Sequence, residues 1–434
     1  MAKITPFQGI RYNERKVNNL DEVVTPPYDI INPLEQEDFY QKHLFNIIRL
    51  ELGKTFSGDT EKDNRYTRAA KTFSQWLQEE VLLNDPKPAF YLYQQEFDHN
   101  GMLITRTGFF ARVELTDYSQ GIVLPHEETM PKHKADRLEL MRACNANFSP
   151  IFGLYNEPEG KIVELLAAKA NLEQPEANAK DQFNVVHKLW AVDNPETINR
   201  VAEIFAPLQV FIADGHHRYE TALHFKKESG QNCKPGANYV MMVLVNLTDP
   251  GLVIYPTHRL LKNLIDFRQD SLLEKIAPYF EIEPVLMEAE GIQGLIDKLA
   301  EKGKSRTAFG LFAGGDAGYL LALRQSIKPL EFAHSGATAD WASLDVSILH
   351  NIILENILGI GSKQRANETN LTYTRSAQEA QLQVLNGQQQ LAFFLNPTKI
   401  SEVTTVAQAG EKMPQKSTYF YPKLITGLVI NSLD

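Results

Sequence analysis

The sequence predicts an α+β fold, a mixed sheet with flanking helices, and three observations carry that prediction. Short apolar runs at residues 208–212, 185–192 and 238–247 are long enough for buried strands and too short for helices. Two further strands, 89–97 and 102–115, are joined by Asp98-His99-Asn100-Gly101, a hairpin turn by composition. From about residue 266 onward, helical and strand patterns alternate regularly.

Taken in order, Val23-Val24-Thr25-Pro26-Pro27-Tyr28-Asp29-Ile30 is a stiff extended turn set by two prolines. Residues 46–52 alternate well enough for a half-buried strand. Over residues 63–83, Ala69, Ala70, Phe73, Trp76, Leu77 and Val81 fall on one helical face. Residues 136–146 and 161–172 read as helices and 149–155 as a strand. Strand 185–192 carries Trp190 as its aromatic anchor. Asp193-Asn194-Pro195-Glu196 is a strong helix start, with a capping residue, a proline and then an acid. Further on, 270–280, 291–302, 344–358, 376–385 and 400–409 read as helices. Segments 307–312, 319–323, 391–395 and 424–430 read as strands. The expected organisation is an N-terminal α/β region at 1–85, a central domain at 86–265 and a C-terminal α/β domain at 266–434.

Composition narrows the function classes. A chain of 434 residues with 43% apolar and 23% charged residues is that of an ordinary globular protein. The formal net charge of −10 argues against a DNA-coating protein. Cys144 and Cys233 stand far apart in no Cys-x-x-Cys pattern, so neither a disulfide framework nor a cysteine zinc site is implied. The first residues lack a signal-peptide core, and no apolar run approaches membrane-spanning length. A cytoplasmic protein without a membrane partner is expected.

The chemistry centres on Ile212-Ala213-Asp214-Gly215-His216-His217-Arg218-Tyr219-Glu220, which reads as strand, tight turn and helix. Gly215 supplies the turn, and the unpaired amides after it form an anion site at the positive end of a helix dipole. His216 and His217 flank that site. Arg218 could add a charge-assisted contact of roughly 1.5–3 kcal/mol. Pro125 to Arg137 adds His126, Glu127, Glu128, Lys132, His133 and Arg137. A carboxylate there could take a proton from a substrate hydroxyl or hold Mg²⁺. Pro256-Thr257-His258-Arg259 follows a strand, and Met413 to Lys423 carries Lys416 and Ser417 in an extended run. No Walker loop, dinucleotide fingerprint, His-Glu-x-x-His or Gly-x-Ser-x-Gly pattern occurs.

Several of these patches together resemble one family, known as the domain of unknown function 1015 (DUF1015) family. They are Pro26-Pro27-Tyr28-Asp29, Asn46-Ile47-Ile48-Arg49-Leu50, Pro125-His126-Glu127, the Ala213–Glu220 stretch, Pro256-Thr257-His258-Arg259 and Met413-Pro414-Gln415-Lys416-Ser417-Thr418. They run in the expected order over nearly the whole chain. Locally, Gly215 to Ala222 also looks like the Gly-x-x-Arg turn and helix of the ParB/sulfiredoxin superfamily, whose members include free-serine kinases. That resemblance implies a ParB/sulfiredoxin-like nucleotide-binding core in the central domain, with an additional α/β region. His216 stands where sulfiredoxins carry their reactive cysteine, and a strand rather than a helix-turn-helix follows the module.

The resemblance and the residues lead to one expectation, a phosphotransferase that uses ATP or ADP with Mg²⁺ on a small polar metabolite. Glu127, His217 and Asp214 are the catalytic candidates. Gly215, His216, His217, Arg218, His126, His258, Arg259, Lys416 and Ser417 are the nucleotide-binding candidates, and Glu127 with Glu128 the candidates for Mg²⁺. Two alternatives stay open: a partition-type, nucleotide-responsive binding protein without turnover, and a metal-dependent hydrolase.

Overall fold

The computed structural model describes residues 1–129, 131–230, 234–366 and 369–434. The chain divides into two compact units, one of Met1–Val253 with Pro422–Asp434 and one of Ile254–Tyr421. The segment expected at 1–85 and residues 86–253 of the domain expected at 86–265 thus share the first unit, and residues 254–265 belong to the second. Cys233 lies outside the described residues, and Cys144 is a buried free thiol.

The first unit is built on a mixed sheet. Its strands are β1 (Ile4–Thr5), β2 (Phe90–His99), β3 (Met102–Glu114), β4 (Val123–Leu124), β5 (Ile151–Tyr155), β6 (Ala177–Lys180), β7 (Val186–Val192), β8 (Val210–Asp214) and β9 (Tyr239–Asn246). They lie in the order β4-β8-β5-β9-β3-β2-β7-β6, with β1 on β3. The β2–β3 hairpin is antiparallel, while β4 with β8 and β5 with β9 are parallel. Strand β9 has neighbours on both sides, so all but its first residue are buried, which is why it reads as an uninterrupted apolar run. Its core includes Phe109, Tyr155 and Phe205, whose rings meet edge to face at 5.3–6.3 Å.

Helices follow their sequence signals with some corrections. Residues 46–52, expected as a strand, instead form the short helix α1 (Ile48–Glu51). Asn46 Oδ1 accepts from the Ile48 amide at 2.9 Å, and one turn buries Ile47, Ile48 and Leu50 together. A strand-like alternation was therefore produced by a single helical turn. The amphipathic helix α2 (Arg65–Gln78) starts at an Asn64 capping box, and it gives way to a short strand at Leu82–Asn84. Helix α3 (Pro131–Cys144) begins earlier than expected, and α4 (Pro195–Phe205) starts at Asn194 and Pro195. Helix α5 (His216–Ser229) follows β8 directly. Residues 424–430, expected as a strand, are buried but irregular. Gly427 at φ 112° interrupts them, and only the isolated bridges Thr25–Thr426 and Ile10–Ile430 pair that segment.

The second unit has a sheet of β10 (His258–Leu261), β11 (Phe280–Leu286), β12 (Ala308–Phe312), β13 (Ala317–Leu323), β14 (Leu371–Thr374) and β15 (Leu391–Phe394). Their order is β11-β13-β12-β15-β10-β14, and every pairing is antiparallel. The expected helix at 344–358 opens as one α-helical turn, α6 (Asp345–Ile348), and continues as a π-helix over Leu349–Ile357. Its apolar side joins Leu261, Phe309, Leu321 and Phe393 in the core of this unit. Among the described residues no helix is long and apolar enough to cross a membrane.

Candidate functional site

Two parallel strands end side by side at the site. Val123 and Leu124 of β4 pair in parallel with Val210 and Phe211 of β8, so the chain leaves both strands at the same end of the sheet. Beyond β4 comes Pro125-His126-Glu127, and beyond β8 comes Asp214-Gly215-His216. Space outside the carboxyl ends of adjacent parallel strands is where α/β sheets take their ligands.

Gly215 makes the turn possible. Its φ of 92° and ψ of 27° lie in the left-handed region, and a Cβ there would stand 2.9 Å from Arg218 Nε and 3.0 Å from Arg218 Cζ. Arg218 therefore folds back over the glycine, and the Gly-x-x-Arg spacing is a packing requirement. The guanidinium is turned inward. It donates to the Pro150 carbonyl and, at 3.0 Å, to Asp214 Oδ2. Behind it a cavity of about 40 Å³, room for a water or two, is lined by Glu51, Arg137, Ser149, Arg218 and Thr221 among others.

Asp214 is gripped from a second side by Lys423, whose Nζ lies 3.0 Å from Oδ1. Burial by itself would raise the Asp214 pKa. The charges of Lys423 and Arg218 outweigh burial, and with His216 they hold the carboxyl well below the usual carboxylate range. Lys423 is placed by its own backbone, because its carbonyl accepts from Gln95 Nε2 at 3.0 Å. Gln95 in turn accepts from the buried Arg106 Nε at 3.1 Å, and Arg106 also donates to the Pro422 carbonyl at 2.5 Å.

The two candidate loops meet. The His126 amide donates to His216 Nε2 at 3.2 Å, and the two rings pack edge to face at 4.7 Å. His126 Nδ1–H donates to the Ile212 carbonyl at 2.8 Å. Burial brings the His126 pKa down to about 4 against the opposing pull of that carbonyl, so the ring is neutral at pH 7. Because His216 Nε2 accepts, a neutral His216 carries its proton on Nδ1, the atom 3.9 Å from Glu127 Oε2. Further along, Glu220 of α5 accepts from Thr129 Oγ1 at 2.6 Å and Lys134 Nζ at 2.9 Å. These contacts tie the loop after β4 to the first turns of α5.

The remaining candidates are dispersed. Glu127 and His217 are half-buried at the site and Glu128 is exposed. The side chains of Lys132 and His133 lie outside the described residues. Arg137 is buried in α3, where it bonds Glu51 at 3.0 Å and stacks 3.9 Å from the Tyr28 ring. His258, Arg259, Lys416 and Ser417 all belong to the second unit. There His258 is buried on β10, accepts from the Leu395 amide at 3.3 Å, and has its pKa lowered to about 4 by burial. Ser417 is buried with its hydroxyl on the Pro414 carbonyl, and Lys416 is exposed at φ 58°. Among the described residues no group of three or more His, Cys, Asp or Glu is arranged to hold a metal.

Sequence reasoning missed Lys423, Glu51 and the Pro150 carbonyl. Lys423 was legible as part of a lysine-bearing run, but nothing local assigned it to Asp214, 209 positions earlier. Glu51 was obscured by the strand reading of its segment.

Solved structures offer distant likenesses. A conserved hypothetical protein from Pyrococcus furiosus aligns at 13% identity and a TM-score of 0.35, over 75% of this chain and 95% of that one. A free serine kinase in complex with AMP aligns at 12% and 0.35, over 74% and 91%. SbnI with a C-terminal truncation, from Staphylococcus aureus, aligns at 11% and 0.36, over 74% and 87%. At these scores the likenesses carry no argument about activity. Among curated proteins no significant match is found. The family model described as Protein of unknown function (DUF1015) matches residues 4–347, most of the chain, and the protein belongs to that family.

Proposed function

We propose that the first unit is a nucleotide-binding phosphotransferase that uses ATP or ADP with Mg²⁺ on a small polar metabolite. One observation carries the reading: the loop after β4 is bound to the start of α5 through the His126 amide and His216 Nε2. A phosphate at the amides after Gly215 would then lie beside a carboxylate that can receive a proton. Phosphoryl transfer asks for that positioning and for charge stabilisation rather than covalent work by the protein.

In this reading Gly215 and the amides of His216 and His217 hold phosphate at the positive end of the helix. His217 meets negative charge from the first turn. Arg218 acts through Asp214 and Pro150, which it holds in place, and is a positioning residue. Asp214, kept ionised by Lys423 and Arg218, is too weak a base for proton abstraction and anchors the turn. Glu127 is the base. With no three-residue metal group among the described residues, Mg²⁺ fits as an ion held mainly by phosphate oxygens and water, with Glu127 or Glu128 as its protein ligand. The proposal rests on residues of the first unit alone.

Melting the full chain against a nucleotide panel, with and without Mg²⁺, tests binding. At about a hundredfold excess over Kd the expected gain is roughly 2.7 kcal/mol. No shift with any nucleotide would overturn the reading. Glu127→Gln should keep nucleotide affinity within a few-fold and lower turnover by ~10²–10⁴. Unchanged turnover would remove Glu127 from the role of base.

A further inference from the structure

We infer that the second unit carries a binding site for a small organic monoanion, a carboxylate head on an apolar body. The site is the cavity bounded by the helix Gln269–Ile276, the loop before it and the chain that leaves the π-helix at Ile357. It measures about 330 Å³, within the usual range for small-molecule sites. Arg268, Ser271 and Lys275 line it together with Leu264, Phe267, Leu272, Leu358 and Ile360. Those five apolar side chains belong to the core cluster of this unit, so the cavity opens directly onto packed hydrocarbon. The site lies wholly in the second unit and is independent of the nucleotide reading of the first.

The helix sorts its charges by sign. At about 100° per residue, the N-cap Arg268, Ser271 and Lys275 fall within about 60° of one another, and all three line the cavity. Asp270 and Glu274 fall on the opposite side of the helix and are exposed. Among the described residues, neither Arg268 nor Lys275 has a hydrogen-bond or ion-pair partner for its side chain. Elsewhere in the unit Lys298, Lys304, Arg306 and Arg365 each meet a glutamate. The two cations at the cavity therefore stand out from their own surroundings.

The rim is held by its own hydrogen bonds. Gln390 Oε1 accepts from the Leu264 amide at 2.6 Å, and its Nε2 donates to the Leu264 carbonyl at 3.0 Å. Asn370 Nδ2 donates to the Lys262 and Asn263 carbonyls, each at 3.2 Å. Asn263 and Asp266 adopt φ of 57° and 50°, a left-handed conformation that these residue types tolerate. Between them Ile265 is 91% exposed on the cavity lining. A rim fixed in this way loses little freedom when a ligand enters.

The lining selects the ligand. Arg268, Lys275 and the Ser271 hydroxyl are donors suited to a carboxylate. Asp266 also lines the cavity, so two positive charges stand against one negative charge and a second charge on the ligand is opposed. An inorganic ion would leave the apolar lining and Ile265 in water. An apolar body removes both from it.

Calorimetric titration of the full chain with phenylacetate and octanoate tests the site. Saturable one-to-one binding of both is expected. Phenylacetamide, which lacks the charge, and acetate, which lacks the body, should bind at least about tenfold more weakly. Arg268 and Lys275 are exposed and anchor nothing among the described residues, so Arg268→Gln and Lys275→Gln should fold as the parent does. Each should weaken phenylacetate about tenfold, as expected for one lost charge-assisted hydrogen bond. No saturable binding of either carboxylate overturns the proposal, as does unchanged binding when both substitutions are combined. Phenylacetamide binding as tightly as phenylacetate would reduce the site to an apolar cleft and overturn it. Phenyl phosphate binding more tightly than phenylacetate would overturn the choice of a monoanion.

Discussion

The molecule contains two His-Arg pairs at sheet strands, and their surroundings differ. His217-Arg218 opens a helix just beyond β8, and the arginine shares a carboxylate with Lys423. His258-Arg259 opens β10, and among the described residues the arginine's hydrogen bonds go to carbonyl oxygens. The same two letters therefore produce a compensated cluster in one unit and an uncompensated cation in the other. Position in the strand decides this. The end of β8 leaves room for charged side chains from the loop and the C-terminal segment, whereas β10 has ladder partners on both edges.

Removing the compensation should give the largest effect on stability. Asp214→Asn leaves Lys423 and Arg218 without their shared acid. It is expected to cost about 3–5 kcal/mol, the usual penalty for breaking a buried pair, in urea unfolding of the first unit. A loss under about 1 kcal/mol would mean that the three groups do not act as one cluster.

Acid should then separate the two units. His126 and His258 are held neutral by burial, each with a pKa near 4. A depressed histidine pKa means that the unfolded chain takes up the proton first. Stability should fall in both units as pH drops from about 6.5 to about 4, by up to roughly 3 kcal/mol per histidine. The first unit should keep losing stability below about pH 4. There Asp214, whose folded pKa lies below its unfolded one, loses its ion pairs as it protonates. Unfolding curves followed by pH, with His126→Gln and His258→Gln as controls, check the order. A pH-independent second unit would break the comparison.

A smaller effect is expected at the turn. Gly215→Ala must adopt φ near 92° and pushes on the Arg218 guanidinium, at a cost of about 2 kcal/mol. Combined with Arg218→Ala, the cost of the glycine change should shrink, because the close contact is gone. Strict additivity in a double-mutant cycle would show that backbone strain alone accounts for the glycine.

The smallest expected effect has the opposite sign. Burial raises the Asp345 pKa to about 6, with Glu402 adding to it and Thr307 opposing. The stability this residue contributes is present at low pH and lost as pH rises through about 6. Because the residue is only half-buried, Asp345→Asn should stabilise the second unit at pH 7 by about 1 kcal/mol. A destabilised variant would mean that the carboxylate is needed at the start of α6.

By itself the sequence determined the short apolar strands between turn residues, the amphipathic helix within 63–83, the capped helix start at Asn194, and the strand–glycine–helix turn at Asp214. In each case the signal is local, set within a few residues by side-chain period, capping chemistry or backbone permission. It also presented His126-Glu127 and His216-His217 as separate patches. Tertiary structure decided that β4 and β8 are parallel neighbours, which joins those patches, and that Lys423 closes on Asp214. It decided equally that residues 46–52 turn as a helix, that 424–430 stay irregular, and that Arg259 is buried with no acid beside it among the described residues. Those outcomes depend on strand order and on which distant groups share a low-dielectric interior, and no local spacing encodes either.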